Sequence, residues 1–500
     1  LSLWISYLST NTESMSNAIS TLQPQALWKN FADLNAVPRA SKKEERVIQF
    51  MVDYGKNLGL ETMTDSIGNV IIKKPASAGM EHRQTIVMQS HLDMVHQKNS
   101  DMDFNFDTEG IKMLIEEDWV RADGTTLGAD NGIGVATIMA VLAATDIEHP
   151  AIEALFTIDE ETGMTGALGL KGGLLTGTIL LNLDTEDDNE LTIGCAGGVD
   201  LTAKGMFSEI TVPSNYISYK VMIKGLSGGH SGMDIHKGLG NANKLMNRFL
   251  LELSKDTNPM ISTIDGGGLR NAIPRESYCI LSIASSETVK LKSKVQEFQK
   301  ILLAEYGTTD PDASIQLDTI DKVKTCGTPD LVMQFLRAVY ACPNGIYRMS
   351  PDINDLVQTS NNVARVKLDQ GRYEVLCLTR SSVDSEKQDL ENAIKSTFQL
   401  IGAEVETSGS YPGWTQKPSA PIIQLMSNIY QNMFKEKPQV NACHAGLECG
   451  IIGTNYPDMD MISFGPNIRG AHSPDEKVQI SSVQKYWKYL MEVLKNIPEK

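Results

Sequence analysis

This 500-residue chain has little cysteine, no excess of basic charge and no long apolar run. Its seven cysteines, at 195, 279, 326, 342, 377, 443 and 449, are odd in number, scattered and form no Cys-x-x-Cys pair. That argues against a disulfide framework or a thiolate zinc site and fits a reducing, cytoplasmic setting. The net charge is −17 with a pI near 5.0. Nucleic acid and anionic membrane both require a basic face, so neither is expected as a partner. No stretch approaches the roughly 20 apolar residues of a membrane span. Residues Leu1–Ser14 have no basic leading region, long apolar core or small-residue cleavage site, so they are not expected to form a signal peptide. They are expected to be a disordered start-site extension, with Met15 opening the protein proper.

What is present is a globular composition, 41% hydrophobic and 21% charged, over a length that predicts two or three domains. Leu22–Leu60 has helical periodicity. Strands are predicted at Asn69–Ile72, Thr85–Gln89, Ile152–Ile158 and Thr178–Leu183, with a small-residue helix over Gly132–Ala144 between them. Strands alternating with helices predict an α/β fold with a largely parallel or mixed sheet flanked by helices. After Gly197-Gly198 the order changes to α+β, and one unit looks repeated: helices Asn241–Leu253 and Val289–Tyr306 in the first round, Asp330–Tyr340 and Ser385–Ile401 in the second. Ser408–Gly413 reads as a loop, followed by helix Pro421–Phe434, strand Met459–Ser463 and helix Val483–Leu494. The simplest division is a catalytic domain over 15–199 and 409–500, interrupted by an inserted domain over 200–408.

Five segments concentrate carboxylates and histidines: Ser90-His91-Leu92-Asp93, Gly128-Ala129-Asp130-Asn131-Gly132, Asp159-Glu160-Glu161-Thr162-Gly163, Asn182-Leu183-Asp184 and Gly470-Ala471-His472-Ser473-Pro474. The first four read as ends of apolar strands, where open α/β sheets place their chemistry. Each has a plain alternative. His91 and Asp93 suit a hydrogen-bonded pair, Asp130 a helix cap, and Glu160-Glu161 a solvated loop. Glu186, Asp187 and Asp188 read as solvated loop charges. Together the five supply two histidines, one carboxylate able to bridge and two further acids, with Asp93 and one glutamate to spare. That set suits two divalent cations about 3.5–4 Å apart, with zinc matching the imidazole and carboxylate mixture and cobalt or manganese also compatible.

The segments SHLDMV, GADNGIG, DEETGMTGA, NLDTED and GAHSPDE resemble those of the M20 metallopeptidases, and most closely the bacterial aminoacyl-histidine dipeptidases. The likeness runs from about residue 20 to the end and includes SGGHSGMDIHKG, GGGLRNAIPRE and HAGLECG. It implies a zinc-peptidase-like catalytic domain interrupted by an inserted α+β lid and dimerisation domain. It further implies two zinc ions per chain held by His91, Asp130, Glu161, Asp184 and His472, with Asp130 as the bridge and a cis peptide following it. Asp93 would orient the His91 imidazole and Glu160 would be the general base and acid. His230 would stabilise the oxyanion, in a homodimer from the other subunit. Asn271, Arg380 and Gly446 would bind a dipeptide, Arg380 by its carboxylate. His444 has no role assigned by the resemblance but is the remaining histidine best suited to touch substrate. The implied activity is hydrolysis of Xaa-His and other dipeptides. Other M20 activities (tripeptidase, carboxypeptidase, N-acyl-amino-acid deacylase) would share the metal site, and a non-catalytic binding protein is disfavoured by the intact Glu160 and Asp130.

Overall fold

The computed structural model describes residues 18–99 and 101–500. The expected extension over residues 1–14 lies outside the described residues. The chain divides into two compact units. The first comprises residues up to Gly194 with Gln416–Ala442 and Glu448–Lys500; the second comprises Cys195–Thr415 with Cys443–Leu447. These boundaries differ from the expected cuts after residues 199 and 408. The reason is pairing: strand Gly197–Met206 lies between Arg372–Ser381 and Glu404–Tyr411 from its first residues. The turn at 443–447 belongs to the second unit because the Ala196 N–H donates to the carbonyls of Cys443 and Ala445.

Among the described residues the first unit holds an eight-stranded sheet. Its centre runs in the order Ile152–Thr157, Ile86–His91, Ile179–Asn182, Asp460–Ser463, and these four strands are parallel. Strands Val70–Lys74 and Glu61–Thr64 extend one side antiparallel. The first three of the central strands are buried along their whole length, which explains their near-continuous apolar sequences. Helix Ala129–Ala143 covers strand Ile86–His91. Gly134 permits that approach, because a Cβ there would lie 2.4 Å from the Ser90 hydroxyl and 2.7 Å from the Leu183 carbonyl. The expected helical stretch Leu22–Leu60 is two helices, Gln25–Asn35 and Glu45–Asn57. Pro38 disfavours helix for the residue before it and separates them. The released segment carries Arg39.

The second unit is built on a nine-stranded sheet. Strand Tyr216–Lys224, helix Ala242–Asp256, strands Met260–Gly267 and Ser277–Ala284, helix Thr288–Tyr306 and strand Ser314–Thr319 form one βαββαβ unit. Strand Gly197–Met206, helix Pro329–Ala341, strands Val357–Asp369 and Arg372–Ser381, helix Asp384–Gln399 and strand Glu404–Tyr411 form another. The two meet antiparallel at Met260–Gly267 and Val357–Asp369. Residues 408–411, read as loop in the sequence, complete the last strand past an irregular register between Ser408 and Tyr411. No helix of the described residues is long and apolar enough to cross a membrane.

Candidate metal centre

His91 closes strand Ile86–His91, Glu160 and Glu161 open a short helix just beyond strand Ile152–Thr157, and Asp184 lies two residues past strand Ile179–Asn182. Adjacent parallel strands therefore deliver all four to one end of the sheet, where such sheets concentrate their chemistry. Asp130 arrives differently from the sequence expectation. It does not end a strand but opens helix Ala129–Ala143, with non-helical backbone at Asp130 and Asn131 and a cis peptide between them. His472 follows the short strand Ile468–Arg469 and holds a left-handed φ of 65°. For a non-glycine residue that conformation is uncommon and often marks a functional site.

Asp130 is the centre of the arrangement. Its Oδ1 lies 3.3 Å from His91 Nε2, which is 3.5 Å from Asp184 Oδ1. Its Oδ2 lies 3.1 Å from His472 Nε2, which is 2.9 Å from Glu161 Oε2. Four compact donor groups occur among the described residues: His91–Asp130–Asp184 and Asp130–Glu161–His472, which share only Asp130, His91–Glu160–Glu161, which overlaps both, and the all-acid set Glu44–Asp93–Asp159. Glu160 Oε2 stands 4.0 Å from His91 Nε2.

Asp93 faces the back of this set. His91 Nδ1 is 3.1 Å from the Asp93 backbone oxygen and 3.4 Å from its Oδ1. The same carboxylate accepts the N–H groups of Glu160 and Glu161 and the Ser41 hydroxyl. One side chain therefore orients the imidazole and fixes the backbone under both glutamates. Asn131 donates to the Leu183 carbonyl and the Asp184 carboxylate.

Five carboxylates, those of Asp93, Asp130, Glu160, Glu161 and Asp184, surround two imidazoles. The charge shows in the acidities. Burial pushes the Glu160 carboxyl well above the usual range, with Asp184 and Glu161 adding to it against His91. Hydrogen bonds to Asp130 and Glu161 raise His472 to about 11. Oε1 of Glu161 is buried without a hydrogen-bond partner. A surplus of buried anionic oxygen, one of them unsatisfied, beside two imidazoles is the donor chemistry of divalent zinc-like cations. The residues fit such ions.

Sequence reasoning missed the parts that hold the loops of the candidate ligands. Arg39, 2% exposed, donates to the carbonyls of Leu92, Asp93 and Gly128. Burial lowers its pKa to about 10, so it stays cationic at neutral pH. Lys42 pairs with Asp159 at 2.6 Å. Glu476 accepts four backbone N–H groups from Leu127 to Asp130. Glu448 is buried beneath the sheet centre, accepting from Gln89 and Thr157 at 2.6 Å each. A basic cluster, Arg39-Ala40-Ser41-Lys42, in an acidic chain was the available signal for the first two. The solvated-charge reading of 186–188 is corrected for Asp188, which binds Lys485 at 2.8 Å and Ser482 at 2.5 Å. Asp187 pairs with Arg469, and Glu186 is half-buried with its pKa raised to about 8, chiefly by burial.

The remaining candidates lie in the second unit. His230 sits on a two-residue strand paired with Ala272–Ile273, next to the exposed Asn271. Its Nδ1 accepts the N–H groups of Gly232 and Met233, so the neutral ring carries its proton on Nε2. Arg380, 5% exposed, donates to the Tyr411 hydroxyl at 3.0 Å, and its Nε has no hydrogen-bond partner among the described residues. Its cross-strand neighbour Ser360 bonds His444 at 2.7 Å. Gly232 approaches closely here, since a Cβ would meet the His444 carbonyl at 2.1 Å and Arg380 Cδ at 3.2 Å. The structure thus brings the His230 turn, Arg380 and the segment of His444 and Gly446 together within this unit.

Comparison with known proteins identifies the family. The chain belongs to peptidase family M20/M25/M40, whose model matches residues 87–496. It is 43% identical over 482 residues to the cytosol non-specific dipeptidase of Escherichia coli (strain K12), covering 96% of this chain and 99% of that protein. The crystal structure of aminoacylhistidine dipeptidase from Vibrio alginolyticus superposes with a TM-score of 0.88 at 42% identity, over 96% of this chain and 98% of that one. The aminopeptidase PepT of Bacillus cereus shares the fold at a TM-score of 0.55 and 15% identity, over 95% of this chain and 99% of that one. The mixed α/β fold with an inserted α+β unit, expected from the sequence, is consistent with these relatives.

Proposed function

We propose that this chain is a dipeptidase that hydrolyses Xaa-His and other dipeptides with two zinc ions per chain. The observation that carries the reading is the pair of compact His/carboxylate donor groups that share Asp130, His91–Asp130–Asp184 and Asp130–Glu161–His472. His91 and Asp184 would hold one ion, Glu161 and His472 the other, and Asp130 would serve both. Cobalt or manganese would suit the same donors. The dipeptidases at 43% and 42% identity support the substrate class, and the first relative's name supports a cytosolic location.

Bound cations would supply Lewis acidity, activating a shared water and polarising the peptide carbonyl. Glu160 takes the proton of the attacking water and returns it to the leaving amine. The backbone N–H bonds to Asp93 hold Glu160 in place for both transfers. His230 donates its Nε2 proton to the developing oxyanion. Arg380, buried with Nε unsatisfied, receives the substrate's terminal carboxylate, and Asn271 and Gly446 complete the substrate contacts. Complementation separates two arrangements: His230 serves its own chain's centre, or in a homodimer it serves the partner's. In the second, mixing His230→Ala and Asp130→Ala proteins would restore part of the activity; no rescue would confine His230 to its own chain.

The test is metal content measured beside turnover of a panel of Xaa-His and non-His dipeptides. Two cations per chain with hydrolysis of dipeptides supports the proposal. Two cations with no hydrolysis of any dipeptide would refute it, and preference for a tripeptide or an N-acyl amino acid would redirect it within the family.

A further inference from the structure

We infer that Glu476 is a positioning residue that sets the loop of the bridging aspartate before any cation arrives. The inference rests on the two-cation reading above. Glu476 is 2% exposed and lies four residues after His472. Its Oε2 accepts the N–H groups of Leu127 and Gly128 at 2.7 and 2.9 Å, and its Oε1 those of Ala129 and Asp130 at 2.7 and 3.2 Å. Four consecutive backbone donors therefore converge on one carboxylate. Such a concave run of N–H groups ordinarily captures an anion; here the chain supplies the anion itself.

Arg39 grips the same loop from the carbonyl side, with Nη2 bonded to Gly128 O at 2.5 Å. Gly128 is required between the two. Its φ is 70°, and a Cβ would lie 2.5 Å from Arg39 Nη2. The last of the four N–H groups belongs to Asp130, whose two carboxylate oxygens face the two ligand groups. Fixing that backbone fixes the direction of both oxygens. Because Glu476 and His472 share one short segment, the same carboxylate ties the Asp130 loop to the ligand that Asp130 meets through Oδ2.

Glu476→Gln keeps the shape but retains one acceptor oxygen, and its amide N–H groups would face two of the loop N–H groups. Groups supporting metal ligands typically contribute 10–100-fold to affinity. The control is Glu153→Gln, another buried carboxylate that accepts two loop N–H groups, from Thr176 and Gly177, away from the ligand loops. Two measurements on the full chain decide. Zinc titration against a chromophoric chelator is expected to show two ions bound by the parent, at least one of them weakened about 10–100-fold in Glu476→Gln and both unchanged in Glu153→Gln. Amide exchange in the metal-free parent is expected to show residues 127–130 protected, with that protection lost in Glu476→Gln. Zinc affinity in a folded Glu476→Gln within about twofold of the parent, or equal loss in Glu153→Gln, overturns the inference. Free exchange at 127–130 in the metal-free parent overturns it even if no variant folds. A parent that binds fewer than two ions refutes the two-cation reading instead, and the exchange result then stands on its own.

Discussion

Glu448→Gln separates the charge of a buried acid from its shape. Glu448 is fully buried at the start of helix Glu448–Asn455. Its carboxyl is pushed up to about 8, chiefly by burial, with His91 and the Thr157 hydroxyl pulling the other way. In the unfolded chain it ionises near its ordinary value of 4.5. Between those values the unfolded state has released a proton that the folded state keeps. Its contribution to stability is therefore whole below the unfolded value and lost as pH rises toward the folded one. Each pH unit in that window costs about 1.4 kcal/mol. From about pH 5 to about pH 7 the loss comes to about 2–3 kcal/mol. Glutamine can keep the oxygen that accepts from Gln89 and Thr157, yet it cannot ionise. Urea unfolding of metal-free protein should show parent and variant within about 1 kcal/mol at the acid end of this range. The variant should be ahead by about 2–3 kcal/mol at the neutral end. Parallel stability profiles for the two proteins across that range would refute the reasoning.

Glu160→Gln should lower kcat about 10²–10⁴-fold while metal analysis still finds both ions; loss of an ion instead would make Glu160 a ligand. Gly128→Ala should destabilise the first unit by about 2 kcal/mol or more in urea unfolding, since it combines a left-handed backbone with contact against the Arg39 guanidinium. Arg39→Met should cost about 4 kcal/mol or more, because the carbonyls of Leu92, Asp93 and Gly128 lose charged donors in a buried setting. An unfolding midpoint unchanged from the parent would exclude a holding role for Arg39.

The candidate ligand residues were legible because each lies in a short contiguous segment beside a local feature, a strand end, a helix start or a turn. His91, Glu160, Glu161 and Asp184 follow from the period and length of single strands. Their supports were not legible, because each acts across the chain. Glu476 meets Leu127 from 349 positions away, and Glu448 meets Gln89 from 359. No local pattern distinguishes such a glutamate from a surface one. The same holds for Asp188, which is an anchor only because Lys485 and Ser482 return to it. The helical reading of Leu22–Leu60 also ran through the break at Pro38, since Gln25–Asn35 and Glu45–Asn57 each carry a helical apolar spacing of their own. Strand Gly197–Met206 looked like a boundary because its partners lie far downstream, at Arg372–Ser381 and Glu404–Tyr411.

Counting the divalent cations bound by the full chain, and by Asp130→Ala, tests the central claim most directly. With Asp130 shared by two donor groups, the account predicts two zinc ions per parent chain, and weakened binding of both when the shared carboxylate is removed. A fully active parent holding a single ion, or an Asp130→Ala chain that still binds two with the parent's affinity, would contradict it.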